Sequence, residues 1–250
     1  MTTSGDVVEL QTIDTGRDIL DPLFAGLVTH LTGGPGAGKS LLLLWYLGRR
    51  IITYNEHVLW VDTGGSFFPN RVTVLFGRDA PIVLSHILVA QVKSLPHMKG
   101  VAAELAAHGV PPHTDHLVID PVSRWPRLAL TRTAHSSGQA EFVAQDFFAT
   151  VLEPLLFTAA RDGFRVYLAH ENSQDRPFWW DRYPARECRV HLQKSFQNPA
   201  AREISNAQER PVALLDLSRN PIRVFPPCNK VKYDSERNCK DRGRNGNGIN

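Results

Sequence analysis

The run Gly33-Gly34-Pro35-Gly36-Ala37-Gly38-Lys39-Ser40 carries the clearest chemistry in the chain. It matches the Walker A pattern G-x-x-x-x-G-K-[ST], in which glycines let backbone N–H groups converge on phosphate oxygens without Cβ clashes. The spacing predicts that Lys39 reaches the β- and γ-phosphates and that Ser40 offers its hydroxyl to Mg²⁺. A glycine-rich turn that merely precedes a lysine would satisfy the same pattern. The flanks argue against that: residues 27–31 read as a strand and residues 41–47 as a buried helix. A strand, a glycine loop and then a helix put the positive end of the helix behind a bound phosphate. The other half of such a site is an apolar strand ending in a carboxylate. Leu117-Val118-Ile119-Asp120 supplies it about 80 residues downstream, where Asp120 can reach Mg²⁺ or its water.

These residues need a scaffold that brings strand ends together. β-rich runs at 28–32, 58–62, 86–90, 116–120 and 165–169 alternate with helix-like segments at 39–51, 95–108 and 139–161. That alternation predicts an α/β fold with a mostly parallel central sheet flanked by helices. Three later β-like runs, at 188–193, 202–205 and 212–217, have no long helices between them. They are expected to extend one edge of the sheet as antiparallel strands. The expected division is a leader (1–20), an ATPase-like core (21–226) and a basic, disordered tail (227–250).

Composition narrows the class. In 250 residues there are 28 Lys+Arg against 25 Asp+Glu, and 42% of residues are hydrophobic, as in ordinary globular proteins. Six bases and three acids between Lys230 and Arg244 account for the whole net charge of +3. Three widely spaced cysteines, Cys188, Cys228 and Cys239, offer neither a disulfide framework nor paired zinc-ligand spacing. An intracellular, reducing compartment is the expectation. The longest uncharged apolar run, 41–47, falls far short of the ~20 residues that span a bilayer, so no membrane partner is expected.

Taken in order, the motifs resemble the RecA/RadA recombinase superfamily, and within it RadB-like proteins and the eukaryotic recombinase paralogues. The resemblance covers roughly residues 14–217. It begins with Thr15-Gly16, Leu20-Asp21 and Gly26 and passes through the phosphate loop. The segment from Val58 through Asp62-Thr63-Gly64-Gly65 to Pro69 and Arg71 resembles the family's "IDTEG-F-P-R" stretch. Leu117 to Ser123 resembles its second magnesium segment, and Phe164 to Glu171 its fifth strand. The resemblance implies a RecA-like P-loop NTPase core, ATP and Mg²⁺ as cofactors, and a role in homologous recombination and DNA repair. It implies single-stranded DNA and another recombinase or paralogue subunit as partners. The cell nucleus would be the location in a eukaryote, and the cytoplasm or nucleoid otherwise.

Three departures from the family pattern shape the expected activity. About 20 residues precede the core. As in RadB-like members, the helical N-terminal domain and its filament-forming linker are expected to be missing. The family's water-orienting glutamate falls at Gly64, which has no side chain to position water, a role that typically contributes ~10²–10⁴-fold. The family's γ-phosphate-sensing glutamine falls at Glu171, preceded by His170. The expectation is therefore an ATP-binding accessory protein with weak or no hydrolysis, in which Lys39 and Asp120 serve the nucleotide. Two alternatives remain. One is an active DNA-stimulated ATPase in which Glu171 replaces the missing glutamate. The other is a KaiC-like P-loop ATPase unrelated to recombination.

In the family, mobile loops after the fourth and fifth strands contact single-stranded DNA. The first would run from Arg124 to Ala140, with Arg124, Arg127, Arg132 and His135. The second would run from Asn172 to Arg186, with Arg176, Phe178, Trp179, Trp180, Arg182, Tyr183 and Arg186. Arginine pairs with phosphate and aromatic rings stack on bases, so the mixture suits single strands. Packing of the aromatics on a partner subunit or on the chain's own surface remains open. Arg202 and Arg210 fall where the family carries basic residues that reach a neighbouring subunit's nucleotide, with surface ion pairing as the alternative. Trp45 and the scattered histidines read as structural.

Overall fold

A computed structural model describes residues 20–133, 137–171, 187–194, 201–205, 211–216 and 223–225. The strands are β1 (Val28–Thr32), β2 (His57–Asp62), β3 (Ile87–Gln91), β4 (Thr114–Asp120), β5 (Arg165–Ala169), β6 (Glu187–Lys194), β7 (Ala201–Ser205), β8 (Pro211–Asp216) and β9 (Arg223–Phe225). They form one sheet in the order β3-β2-β4-β5-β1-β6-β7-β8-β9. The helices are α1 (Lys39–Tyr54), α2 (Pro69–Phe76), α3 (Ala80–Ser85), α4 (Leu95–His108), α5 (Arg124–Thr133), α6 (Ser137–Phe147) and α7 (Glu153–Asp162). A π-helical turn, Phe148–Leu152, joins α6 to α7.

Alternation along the strands builds two cores from one sheet. Leu31, Trp60, Val118, Tyr167 and Ala169 face α1, whose Leu42, Leu43, Leu47 and Ile51 are buried against them. Their neighbours Leu59, Val61, Leu117, Ile119, Val166 and Leu168 face the other way, onto α4 and the α6–α7 helix. A strand buried on both faces reads as a continuous apolar run, which is why 117–119 has no polar member. Trp45 lies in the first core. So does Leu20, the last residue of the expected leader, which is fully buried. The continuous helix Glu141–Asp162 is long and apolar enough to cross a membrane by length and composition. Here its Phe147, Val151, Leu155 and Ala159 are core residues of the second layer.

The expected α/β architecture is present, with two differences in detail. β6 pairs parallel to β1, in the register Val28↔Glu187 to Thr32↔His191. Only β7, β8 and β9 run antiparallel. A parallel partner needs a long crossover, and the 172–186 segment preceding β6 lacked the helical pattern that would have signalled one. Within the segment 124–140, expected as a loop, residues 124–133 form α5 and residues 137–140 begin α6. Its Arg124–Leu130 stretch places Trp125 against the second core, so helix packing decides its conformation.

Candidate functional site

β1, β4 and β5 lie side by side, and their C-terminal ends open onto one crevice. Carboxyl ends of parallel strands are where α/β sheets bind ligands. The phosphate loop leaves β1 and enters α1 through Gly38, whose φ of 97° only glycine adopts freely. Gly33 is held as tightly from outside: a Cβ there would sit 2.3 Å from the Leu192 carbonyl of β6. The loop thus folds against a neighbouring strand as well as toward its ligand.

Lys39 is largely buried and its Nζ donates to the carbonyls of Gly33 at 2.8 Å and Gly34 at 3.0 Å. Burial lowers its ammonium below the ordinary lysine range, while the Asp120 and Glu171 carboxylates pull it back up. Asp120, 3% exposed, ends β4 beside it. Its carboxylate accepts from Ser66 Oγ at 3.2 Å and from the Ser40 hydroxyl. Burial pushes this carboxyl above its usual value; the two hydroxyl bonds act the other way, and nearby Asp62 raises it again. A buried carboxylate bonded to the phosphate-loop serine, and disfavoured as an anion, is a donor set that a hard divalent cation would satisfy. Ser40 and Asp120 would hold Mg²⁺ here, together with phosphate oxygens. Among the described residues no group of three or more His, Cys, Asp or Glu side chains gathers to hold a metal by itself.

Asp62 does not reach toward a nucleotide. Its carboxylate accepts from the backbone N–H groups of Gly64 (3.1 Å), Ser66 (2.9 Å) and Phe67 (3.1 Å), fixing the turn after β2. That turn presses Gly64 against the chain after β4: a Cβ on Gly64 would lie 2.8 Å from Pro121 Cδ. A side chain here would require a rigid proline ring to move.

His170 and Glu171 directly follow β5. His170 is fully buried, with Nε2 2.9 Å from His30 Nδ1 of β1 and the two rings stacked. Burial, then His30 and Lys39, hold it well below the ordinary histidine range, so the ring stays neutral. Glu171 turns into the crevice. Its N–H donates to Ser123 Oγ at 2.9 Å and its Oε2 accepts from Arg127 Nη1 at 2.8 Å. The carboxylate that would repel a triphosphate is therefore neutralised by an arginine.

The crevice is a cavity of about 510 Å³ bounded by Pro35, Lys39, Ser40, Gly64, Ser66, Asp120, Pro121, Arg124, Arg127, His170 and Glu171. Of the residues expected to serve a nucleotide, Pro35, Lys39, Ser40 and Asp120 line it. It also contains three that sequence reasoning assigned elsewhere or passed over. Arg124 and Arg127, expected on a DNA-binding loop, line this crevice from the first turn of α5. Ser66 bonds Asp120 across the strand ends, and only its place four residues after Asp62 hinted at that. Arg202 on β7, expected to reach a neighbouring subunit, has Nη2 3.5 Å from the Gly36 carbonyl of its own phosphate loop. The side chain of Arg132, and all of Arg176, Trp179, Trp180, Arg182, Arg186 and Arg210, lie outside the described residues, as does the 227–250 tail.

No protein-family model matches the chain. It is similar to the DNA repair and recombination protein RadB of Methanobrevibacter smithii, 36% identical over 64 residues, covering 26% of this chain and 27% of that protein. It is also similar to the meiotic recombination protein DMC1 homolog A of Oryza sativa subsp. indica, 28% identical over 173 residues, covering 64% of this chain and 48% of that protein. The chain thus spans from about a quarter to about half of these relatives' lengths. The crystal structure of the RadB recombinase superimposes with a TM-score of 0.59 at 19% identity, covering 81% of this chain and 94% of that one. At that identity the likeness is one of fold.

Proposed function

We propose that this chain, a member of the RecA/RadA superfamily, is an ATP-binding accessory protein of homologous recombination and DNA repair. It binds ATP·Mg²⁺ at Gly33–Ser40 and Asp120 and hydrolyses it slowly or not at all. The bound nucleotide stabilises assembly with another recombinase-type subunit and, through it or directly, engagement of single-stranded DNA. Such a protein works where the DNA is, in the nucleus of a eukaryote or the cytoplasm of a prokaryote.

The observation that carries this reading is Gly64. The crevice keeps the phosphate loop, Lys39 and the Ser40–Asp120 pair, yet at Gly64 a Cβ would meet the Pro121 ring at 2.8 Å. No carboxylate stands there to orient an attacking water. Binding survives such a loss where turnover does not, because phosphate contacts and water positioning are separate contributions. A ligand bound only by the folded or assembled state stabilises that state by mass action.

One observation favours a second reading, an active DNA-stimulated ATPase. Glu171 faces the same crevice and could orient water. Its bond to Arg127 opposes that role, since a carboxylate oxygen held by a guanidinium is not free to hold a water. Steady-state ATP turnover, with and without single-stranded DNA and with Lys39→Ala as the blank, separates the two. Turnover indistinguishable from the blank, alongside measurable ATP binding, is the expected result. DNA-stimulated turnover lost in both Lys39→Ala and Glu171→Gln would overturn the accessory reading in favour of the enzyme.

A further inference from the structure

Three cations and two carboxylates line the crevice: Lys39, Arg124 and Arg127 against Asp120 and Glu171. Two of the cations have an acidic neighbour. Lys39 feels Asp120, and Arg127 is bonded to Glu171. Arg124 is the surplus charge. Its Nη1 lies 3.7 Å from the point where a Cβ on Gly64 would stand, so the guanidinium lies beside Gly64 in the crevice wall. Its Nε is buried and finds no hydrogen-bond acceptor among the described residues. A buried donor without an acceptor costs free energy that an incoming anion can recover.

We propose that Arg124 is a receptor, in the same chain, for the terminal phosphate of a bound nucleoside triphosphate, presented from the crevice wall beside Gly64. This deepens the reading of the crevice as an ATP·Mg²⁺ site and rests on it. Arg124 starts α5 four residues after Asp120, so the segment that ends in the metal-binding carboxylate also carries the guanidinium. Arg127, one turn along on the same helix face, holds Glu171 and removes the negative charge that would compete for Arg124. A triphosphate held by Lys39 and Mg²⁺ still has excess negative charge on its outermost group. The fork of a guanidinium matches phosphate oxygens in a two-pronged bond. A diphosphate ends before that point and gains nothing from Arg124. The site therefore distinguishes ATP from ADP without a water-activating residue, which is what a nucleotide-gated assembly factor requires.

The test is calorimetric titration of the full chain with ATP·Mg²⁺ and ADP·Mg²⁺, for the wild type, Arg124→Ala, Arg124→Lys and Lys39→Ala. Oligo-dT binding is followed in parallel, and thermal unfolding checks each variant. Arg124→Ala should weaken ATP on the order of tenfold to a hundredfold, the usual worth of a charge-assisted hydrogen bond, and leave ADP within about threefold. Arg124→Lys, which keeps the charge but not the fork, should lose less. It carries the comparison if the alanine variant does not fold. An unchanged ATP-to-ADP ratio in a folded variant overturns the inference and leaves the nucleotide site intact. Loss of oligo-dT binding with that ratio unchanged also overturns it and assigns Arg124 to the DNA. A wild type that binds neither nucleotide overturns the proposed function itself, and the inference with it.

Discussion

Asp120 shows how a single buried carboxylate trades stability for binding. Its folded-state pKa is raised, chiefly by burial, so the native protein holds a proton there that the unfolded chain releases. Stability from this group is present below the ordinary carboxyl range and lost as pH rises through the folded value. At neutral pH the ion is a cost that Mg²⁺ would offset. Asp120→Asn removes the charge while keeping a hydrogen-bonding side chain of the same size. Without ligand it should be the more stable protein, by on the order of 1 kcal/mol, or ~2–4 °C in Tm for a chain of this length. With ATP·Mg²⁺ it should lose the ligand-induced rise seen in the wild type. Differential scanning fluorimetry with and without nucleotide reads both effects. A lower apo Tm for the variant would mean that Asp120 is a net stabiliser and that its burial is compensated within the chain.

Between α1 and β4, well away from the crevice, a second polar cluster locks elements together. Glu56, in the α1–β2 connection, accepts from His116 Nε2 of β4 at 2.7 Å and from the Arg50 guanidinium of α1. Tyr167 of β5 lies within reach of the other His116 nitrogen at 3.3 Å. Burial by itself would push Glu56 up, but its bonds to His116 and Arg50 outweigh that and hold it at about 2. Burial also lowers His116, with Glu56 partly opposing. Both groups have depressed folded values, so both favour the native state at neutral pH. Their contribution declines as pH falls, from His116 below about 6.5 and from Glu56 between about 4.5 and 2. Glu56→Gln should therefore cost ~1–3 kcal/mol at pH 7 and progressively less toward pH 2–3, as read from urea unfolding across that range. A cost that is constant with pH would show that packing, not the ionised cluster, ties α1 to β4.

At the scale of the whole molecule, the crevice draws on most of the sheet. The phosphate loop comes from β1, Asp120 from β4, Glu171 from just beyond β5 and the Gly64 turn from β2, while β6 backs Gly33 and Arg202 of β7 reaches the Gly36 carbonyl of the loop. A ligand seated there joins elements that otherwise meet only through the sheet. Native-state binding should raise stability by about 2.7 kcal/mol at a ligand concentration of 100 Kd. At ~2–4 °C per kcal/mol that is a Tm rise of ~5–11 °C. Lys39→Ala should abolish the rise, measured by fluorimetry at increasing ATP·Mg²⁺. A rise of the same size in Lys39→Ala would place the nucleotide outside the phosphate loop.

Features that depend on local order were legible from residue type alone. The strand–loop–helix around Lys39, the apolar 117–119 run closing on Asp120, and the alternation implying a parallel sheet all follow from residue type and near-neighbour spacing. Helix α4 was legible to its ends, because Ser94 caps its first turn and Gly109 follows its last. The remaining features depend on contacts between segments far apart in the chain. Gly64 could be read as a missing carboxylate, but only the approach of Pro121, more than fifty residues away in the chain, shows why a side chain does not fit. Arg124 and Arg127 read as a DNA loop because their composition suits phosphate; which phosphate they face depends on α5 folding onto the strand ends. Likewise β6 was legible as a strand but not as a parallel one, since pairing direction is set by the distant partner β1. Propensity and capping act over a few residues, whereas a crevice is made by segments that become neighbours only when the sheet has formed.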